Sequence, residues 1–338
     1  MTDSAAELRL AGNSPEMVAL RQRIARVAKS RANTVLAYGE TGTGKGLVAR
    51  MIHDMSERSA APFMDINCAA IPADLLESEL FGHEKGAFTG AVGKKQGLIE
   101  AADGGTVFLD EIRELSPVMQ AKLLTLLDTR TFRRVGAVRP IHVDVRFIAA
   151  TNKILLNEVK SGRFRDDLYY RLQVIAINIP PLRERGDDIM MLAHKFLTRF
   201  ARQHGSVMHR FERDVERIFR AYQWPGNVRE LENLIERICL IEEGEVVRVV
   251  HLPARVLREV PGVSGQVGKA SDSTEDGFTA ATTAFQTSLI RRALEECNGH
   301  LGQAALQLRL TRHALRHQMM KLELSSERHP PQKQPRRR

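Results

Sequence analysis

The sequence predicts an α/β domain built on a parallel sheet with helices on both faces. A small helical lid follows, and then an all-α helix-turn-helix end. Three observations carry that expectation. Short apolar runs alternate with helical patterns through the first half of the chain, as in strands joined by crossover helices. After Pro180 and Pro181 the apolar runs stop and helical periodicity continues alone. A stretch from Pro261 to Gly277, rich in Gly, Ser and Asp and without periodicity, then sets off a last helical segment.

Taken in order, residues 33–38 read as a buried strand running into a glycine loop, and a helix follows from Lys45 to about Glu57. Further strands are expected at 63–67, at 106–110 (entered through Gly104 and Gly105) and at 142–150. Ser116 and Pro117 open a helix, with Ser as N-cap and Pro at the first helical position. Lid helices are expected over 187–202, 212–221 and 228–242. The resulting division is a tail at 1–9, the α/β core at 10–180 and the lid at 181–256. A linker at 257–278, the helix-turn-helix domain at 279–324 and a basic tail at 325–338 complete it.

Composition limits the function classes. The 338 residues are 43% hydrophobic and 27% charged, as in a soluble globular protein. No run of eighteen apolar residues is present, so no membrane insertion is expected. The first residues lack the basic and apolar regions of a secretion signal. Cys68, Cys239 and Cys297 are widely spaced and fit neither a metal motif nor a disulfide framework, which points to the reducing cytoplasm. Residues 281–338 hold 11 Lys+Arg against 4 Asp+Glu, and so carry +7 of the net +9. Such an end either meets a polyanion or is simply a solvated tail.

The segment Gly39, Glu40, Thr41, Gly42, Thr43, Gly44, Lys45 and Gly46 follows a strand and opens a helix, the context in which a glycine loop cradles phosphates. Its backbone N–H groups and the helix N-terminus favour anions, and Lys45 reaches toward the outer phosphates of a nucleotide. Gly46 stands where the general motif has Ser or Thr, so no hydroxyl is offered to Mg2+. The metal then depends on Asp110, phosphate oxygens and water. Asp110 and Glu111 end an apolar strand beside the loop; Asp110 is the metal-side acid and Glu111 the candidate base for an attacking water. A solvated acidic pair is the plainer alternative.

Between these two motifs stands the run Gly86, Ala87, Phe88, Thr89, Gly90 and Ala91. Glycines at both sides permit sharp turns and push Phe88 and Thr89 outward, as in a tip that touches a partner. A Phe that merely staples the loop to the core is the other reading.

Near the C-terminus, residues 301–308 and 311–322 read as a helix-turn-helix. Ala304, Ala305 and Leu308 allow close helix crossing, Thr311 is a good N-cap, and Leu315, Met319 and Leu322 share one face. Arg312, His313, Arg316 and His317 then face outward toward a major groove, with Thr311 at the helix start. A plain amphipathic hairpin gives the same apolar spacing.

Together these residues resemble the bacterial enhancer-binding proteins, the AAA+ activators of RNA polymerase carrying sigma-54, over about residues 10–324. Residues 39–46 match the family's phosphate loop, although the family usually has Glu at the position of Gly46. Residues 86–91 match the sigma-54-contact loop letter for letter. The resemblance implies ATP hydrolysis with Mg2+, a ring (a hexamer when active), and two partners: sigma-54 RNA polymerase holoenzyme and enhancer DNA. It further implies that Asn67 holds Glu111 in an inactive pose, and that Thr151 and Asn152 sense the γ-phosphate. By the same carry-over, Arg165 and Arg171 are arginine fingers and Arg229 is the second sensor, on the lid. Pairing of the two fingers with Asp166 or Asp167 inside one chain is their bland alternative. The end of the chain resembles the family's Fis-like domain, with Arg309 where Gly is frequent at the turn. Because residues from Leu10 already resemble the family's domain entrance, no N-terminal regulatory domain is expected, and control by an inhibitory protein in trans or by abundance follows. Two rivals are a repressor of the same family and another AAA+ machine, such as a chelatase; the intact loop 86–91 opposes the first and the helix-turn-helix the second.

Overall fold

The structure, a computed structural model, describes residues 10–260 and, beyond them, residues 287, 290–294, 297, 301–308, 315 and 319. The chain divides into two compact units, Met1–Glu259 and Val260–Arg338.

In the first unit, five strands form an all-parallel sheet: β1 (Thr34–Tyr38), β2 (Phe63–Asn67), β3 (Thr106–Asp110), β4 (Arg146–Thr151) and β5 (Ala176–Asn178). Their order is β2-β3-β4-β1-β5. Period-two alternation decides the faces. Val107 and Leu109 join Leu36, Phe147 and Ala149 on one side, under α3 (Ala73–Phe81), α4 (Pro117–Thr129) and α5 (Asp166–Leu172). Phe108 joins Val35, Ala37 and Ile148 on the other, against α1 (Pro15–Ala28) and α2 (Lys45–Asp54). Ser116 caps α4 through its hydroxyl, which accepts from Met119 N–H, and Pro117 occupies the first turn.

The strand expected at 142–150 is two elements. Ile141–His142 pairs antiparallel with Thr131–Phe132, and β4 begins only at Arg146. Between them the Asp144 carbonyl accepts from Gly104 N–H (3.0 Å) and Arg58 Nη1 (2.6 Å), contacts that compete with ladder pairing. Arg146 is itself buried, and its guanidinium donates to the Val27 and Ala28 carbonyls that end α1. The helix after the glycine loop stops at Asp54, three residues short of the expectation.

The sheet also encloses His53, which is 1% exposed, faces the Phe63 ring and shares a 3.0 Å hydrogen bond between its Nδ1 and the Thr106 hydroxyl. Burial is the main cause that pulls its pKa below the ordinary value. With the native pKa depressed, the unfolded chain takes up the proton first as pH falls. Stability is therefore full above about pH 6.5, the unfolded value, and declines as the pH drops through the native one. Denaturant midpoints measured from pH 7.5 to 5 are expected to fall more steeply for the wild type than for His53→Gln. Parallel slopes would refute this.

The lid consists of α6 (Asp188–His204), α7 (Arg213–Ala221) and α8 (Asn227–Ile241). Between α7 and α8 stands Trp224, fully buried at φ 50°, whose Nε1 donates to the Phe219 carbonyl at 2.8 Å. A short helix, Ala254–Glu259, runs past the expected lid boundary and buries Val256.

In the second unit, Ala304 and Ala305 on the helix Leu301–Gln307 bury with Ile290, Ala293, Leu315 and Met319. Leu315 and Met319 are two of the three positions expected to share one apolar face; the third, Leu322, lies outside the described residues. Thr311, Arg312, His313, Arg316, His317 and Arg309 lie outside the described residues, as do residues 1–9, the tail and most of the linker. Among the described residues no helix is long and apolar enough to cross a membrane. Cys68 and Cys239 are buried free thiols, and burial pushes Cys68 up to about 12, which leaves it protonated and unreactive.

Candidate functional site

The parallel register brings four strand ends level. Asn67 lies beside Asp110, and Tyr38 beside Thr151, so the loops after β1, β2, β3 and β4 share one edge of the sheet. Ligands of doubly wound sheets sit at such an edge. A cavity of about 930 Å³ opens there, lined by residues 41–47, Asp110, Glu111 and, from the lid, Arg185 and Arg229.

The glycine loop after β1 turns on Gly42 (φ 79°) and Gly44 (φ 102°), conformations that side chains resist. Space confirms the need at Gly42, where a Cβ would lie 2.1 Å from the Gly226 carbonyl oxygen. Thr43 is buried, and its hydroxyl donates to the Glu40 carbonyl at 2.7 Å. Lys45 is 6% exposed; its Nζ donates to the carbonyls of Gly39 (3.1 Å) and Glu40 (3.4 Å) and lies 3.8 Å from Glu111 Oε1. Gly46 has room for a side chain: a Cβ would touch only Phe108 Cε1, at 3.6 Å.

Asp110 and Glu111 sit as the sequence predicts, at the end of β3. Asp110 Oδ1 accepts from Glu111 N–H at 3.0 Å, which bends the chain so that Glu111 takes a left-handed conformation (φ 52°, ψ 50°). A residue with a Cβ in that region is strained, and such strain gathers at functional sites. Glu111 Oε2 is buried without a hydrogen-bond partner, and its nearest cation, Arg113 Nε, stands 3.9 Å away. Asn152 Oδ1 is likewise buried and unpaired, while its Nδ2 donates to the Thr41 hydroxyl at 3.2 Å. Thr151 is fully buried, and its carbonyl accepts from Gly39 N–H at 3.2 Å. The last residue of β4 and the one that follows it are thus joined directly to the glycine loop.

Other expected residues stand elsewhere. Asn67 is exposed and its Oδ1 accepts from Ala69 N–H at 3.0 Å, so it is adjacent to Asp110 in the sheet but its amide is turned to its own loop. Arg165 forks onto Asp167 (2.9 and 2.7 Å), the intrachain pair anticipated as the alternative. Arg171 bonds Asp128 at 2.9 Å and the Leu127 carbonyl at 2.9 Å. Neither arginine lines the cavity that holds Lys45.

The run 86–91 forms a closed turn: Gly86 N–H donates to the Ala91 carbonyl at 2.9 Å, and Gly86 (φ 82°) and Gly90 (φ 102°) are both left-handed. Thr89 is exposed and Phe88 is 42% exposed, yet the Phe88 ring also meets His83 edge-on at 5.0 Å. Projection and stapling therefore coexist. A short antiparallel pair, Gly82–His83 with Lys95–Gln96, supports the turn, and Arg134 clamps its base to Glu84 (2.8 Å) and Glu100 (2.7 Å).

Sequence reasoning missed several anchors. Gln120 is buried and bonds the Leu115 and Arg163 carbonyls and Arg165 N–H, fixing the segment that carries Arg165. Arg185 is 2% exposed and donates to the Thr43 and Pro180 carbonyls; burial pulls its pKa down to about 10. Asn227 and Arg183 tie the lid to the loop. Only the Asn after a Gly at a helix start was a signal, since Asn tolerates left-handed backbone.

Residues 10–178 match the family model for the sigma-54 interaction domain, and residues 183–266 that for the AAA+ ATPase lid domain. The chain is 48% identical over 314 residues to nitrogen fixation protein VnfA of Azotobacter vinelandii, covering 93% of this chain and 59% of that protein. It is 46% identical over 314 residues to response regulator protein PilR of Pseudomonas aeruginosa, covering 93% and 69% respectively. The crystal structure of NtrX from Brucella abortus in complex with ADP superposes with a TM-score of 0.71 at 31% identity, over 95% of this chain and 70% of that one. The chain spans 59% of VnfA and 55% of nitrogen fixation protein AnfA, little more than half of each. With the sheet order, the glycine loop, the acidic strand end and the helical lid all in place, the chain belongs to the sigma-54-dependent transcriptional activators, the AAA+ proteins that carry a sigma-54 interaction domain.

Proposed function

We propose that this chain is an ATP-hydrolysing activator that binds upstream enhancer DNA and remodels the closed complex of sigma-54 RNA polymerase so that promoter DNA opens. The observation that carries the reading is the convergence of Lys45, Asp110, Glu111 and Arg229 on one nucleotide-sized cavity, with Asn152 bonded to Thr41 of its glycine loop and an exposed loop at 86–91 on the same domain.

In this reading the loop 39–46 and Lys45 hold the phosphates of ATP, and Glu111 takes the proton of the attacking water. Thr151 and Asn152 report on the outer phosphate from β4, and Arg229 does so from the lid. Mg2+ fits the donor set: Asp110 offers a hard carboxylate oxygen, and Glu111 Oε2 and Asn152 Oδ1 are buried acceptors without partners. Among the described residues no three acidic, His or Cys groups converge on a metal cage. That suits an ion held by one carboxylate, phosphates and water. When bound, it neutralises charge on the phosphates. The loop 86–91 is the surface for sigma-54, Thr311, Arg312, His313, Arg316 and His317 read DNA, and the active form is a cytoplasmic hexamer. The domains follow the sequence division at 10–180 and 279–324, and the lid runs from 181 past 256 to include the helix that ends at Glu259.

Open-complex formation on a sigma-54 promoter with purified polymerase tests the reading. Wild type is expected to open the promoter only with hydrolysable ATP. Lys45→Ala is expected to lose both hydrolysis and opening, and Thr89→Ala to lose opening while it keeps hydrolysis. Opening that survives in both variants would overturn the reading.

A further inference from the structure

Asn227 is the first residue of α8, fully buried, and left-handed at φ 51°. Its amide is used at both ends. Oδ1 accepts from Leu182 N–H at 2.7 Å, while Nδ2 donates to Glu40 Oε2 (3.1 Å) and to the Thr41 carbonyl (3.0 Å). Those partners belong to different segments: the connection between sheet and lid, and the glycine loop. The backbone adds to the clasp, because Val228 N–H donates to the Gly42 carbonyl at 3.1 Å. Arg183, from the same connection as Leu182, forks onto Glu40 at 2.6 and 2.9 Å. Two residues past Asn227 comes Arg229, whose Cβ would lie 3.1 Å from a Cβ at Gly42.

We infer that Asn227 is a positioning residue for the nucleotide reaction: with Glu40 it pins the start of α8 to the glycine loop and so holds Arg229 over the phosphates. The inference rests on the ATP-site reading above. An amide suits the place because one end must accept and the other must donate twice. A carboxylate of the same shape would face Glu40 and the Thr41 carbonyl with lone pairs. The left-handed backbone also favours Asn over most residues. Arg229 alone, on a helix whose first turn is otherwise free to tilt, would have no fixed approach to the loop.

The test measures binding of a fluorescent ATP analogue, and ATP turnover, in the full chain. The variants are Asn227→Asp, Glu40→Ala, Arg229→Ala and the combinations with Arg229→Ala. Asn227→Asp and Glu40→Ala are each expected to weaken analogue binding by at least about fivefold in the wild-type background and by less than twofold on top of Arg229→Ala, the non-additivity of groups acting through one another. Adding Glu40→Gln to Asn227→Asp is expected to recover part of the loss, since an amide then faces the new carboxylate. Equal losses with and without Arg229, or no loss in Glu40→Ala, would overturn the inference. Glu40 is half-exposed, so Glu40→Ala keeps the test decisive if Asn227→Asp fails to fold. Wild-type protein that ignores the analogue, or Lys45→Ala that binds it equally well, would instead remove the ATP-site reading.

Discussion

Glu111→Gln is expected to lower ATP turnover by about 10²–10⁴-fold, the range for loss of a positioned general base, with analogue affinity close to wild type. Three features lead to this result. The carboxylate is aimed inward: Oε1 stands 3.8 Å from Lys45 Nζ, and Oε2 is buried with no hydrogen bond to occupy it. Its backbone is held at φ 52° by Asp110 Oδ1 on one side and by Glu114 N–H, which donates to the Glu111 carbonyl at 3.0 Å, on the other. A left-handed residue with a Cβ carries roughly 1–2 kcal/mol of strain, so the fold maintains this pose against a local preference. Gln preserves the shape and removes the basicity, which confines its effect to turnover. Glu111→Gly separates the two roles. It relieves the strain and is expected to stabilise the chain by about 1 kcal/mol while turnover is lost. Turnover of Glu111→Gln within threefold of wild type would dismiss Glu111 as the base.

The sequence revealed most clearly what is local. The glycine loop, the acidic end of β3 and the N-cap of α4 each lie within a few consecutive residues, and strand, loop and helix appear where the periodicity places them. Asn152 was legible by resemblance, and the structure joins it to Thr41 across 111 positions. The lid clasp was not legible, since Asn227 meets Thr41 and Arg183 meets Glu40 over separations of 186 and 143 positions, and only packing creates those contacts. Strand 142–150 was misjudged because Val143 and Val145 are buried like strand residues, although the chain turns at Asp144. At Asn67 the resemblance implied a contact with Glu111, whereas the amide is drawn by the nearer Ala69 N–H. Sequence similarity transfers residue identity more readily than side-chain direction.

Arg171→Ala is expected to cut ATP turnover by about 10³-fold or more, the usual worth of an arginine finger, and Arg165→Ala to act in the same direction. The intrachain pairs of these residues do not argue against this. Both guanidiniums are 46% exposed, and exposed ion pairs are worth only about 0–1 kcal/mol. Releasing Asp167 or Asp128 to meet a triphosphate therefore costs little. Arg171→Ala should accordingly leave thermal stability within about 1 kcal/mol of wild type. What argues for action in trans is position: neither side chain lines the cavity that holds Lys45 of its own chain. A mixing experiment distinguishes the arrangements. Glu111→Gln protomers keep both arginines, and Arg171→Ala protomers keep the base. In a mixed ring, some interfaces pair an intact base from one protomer with an intact arginine from its neighbour, and turnover should rise well above that of either variant alone. Were the arginines to act within their own chain, every protomer would still carry one lesion, and the mixture would hydrolyse no faster than the mean of its parts.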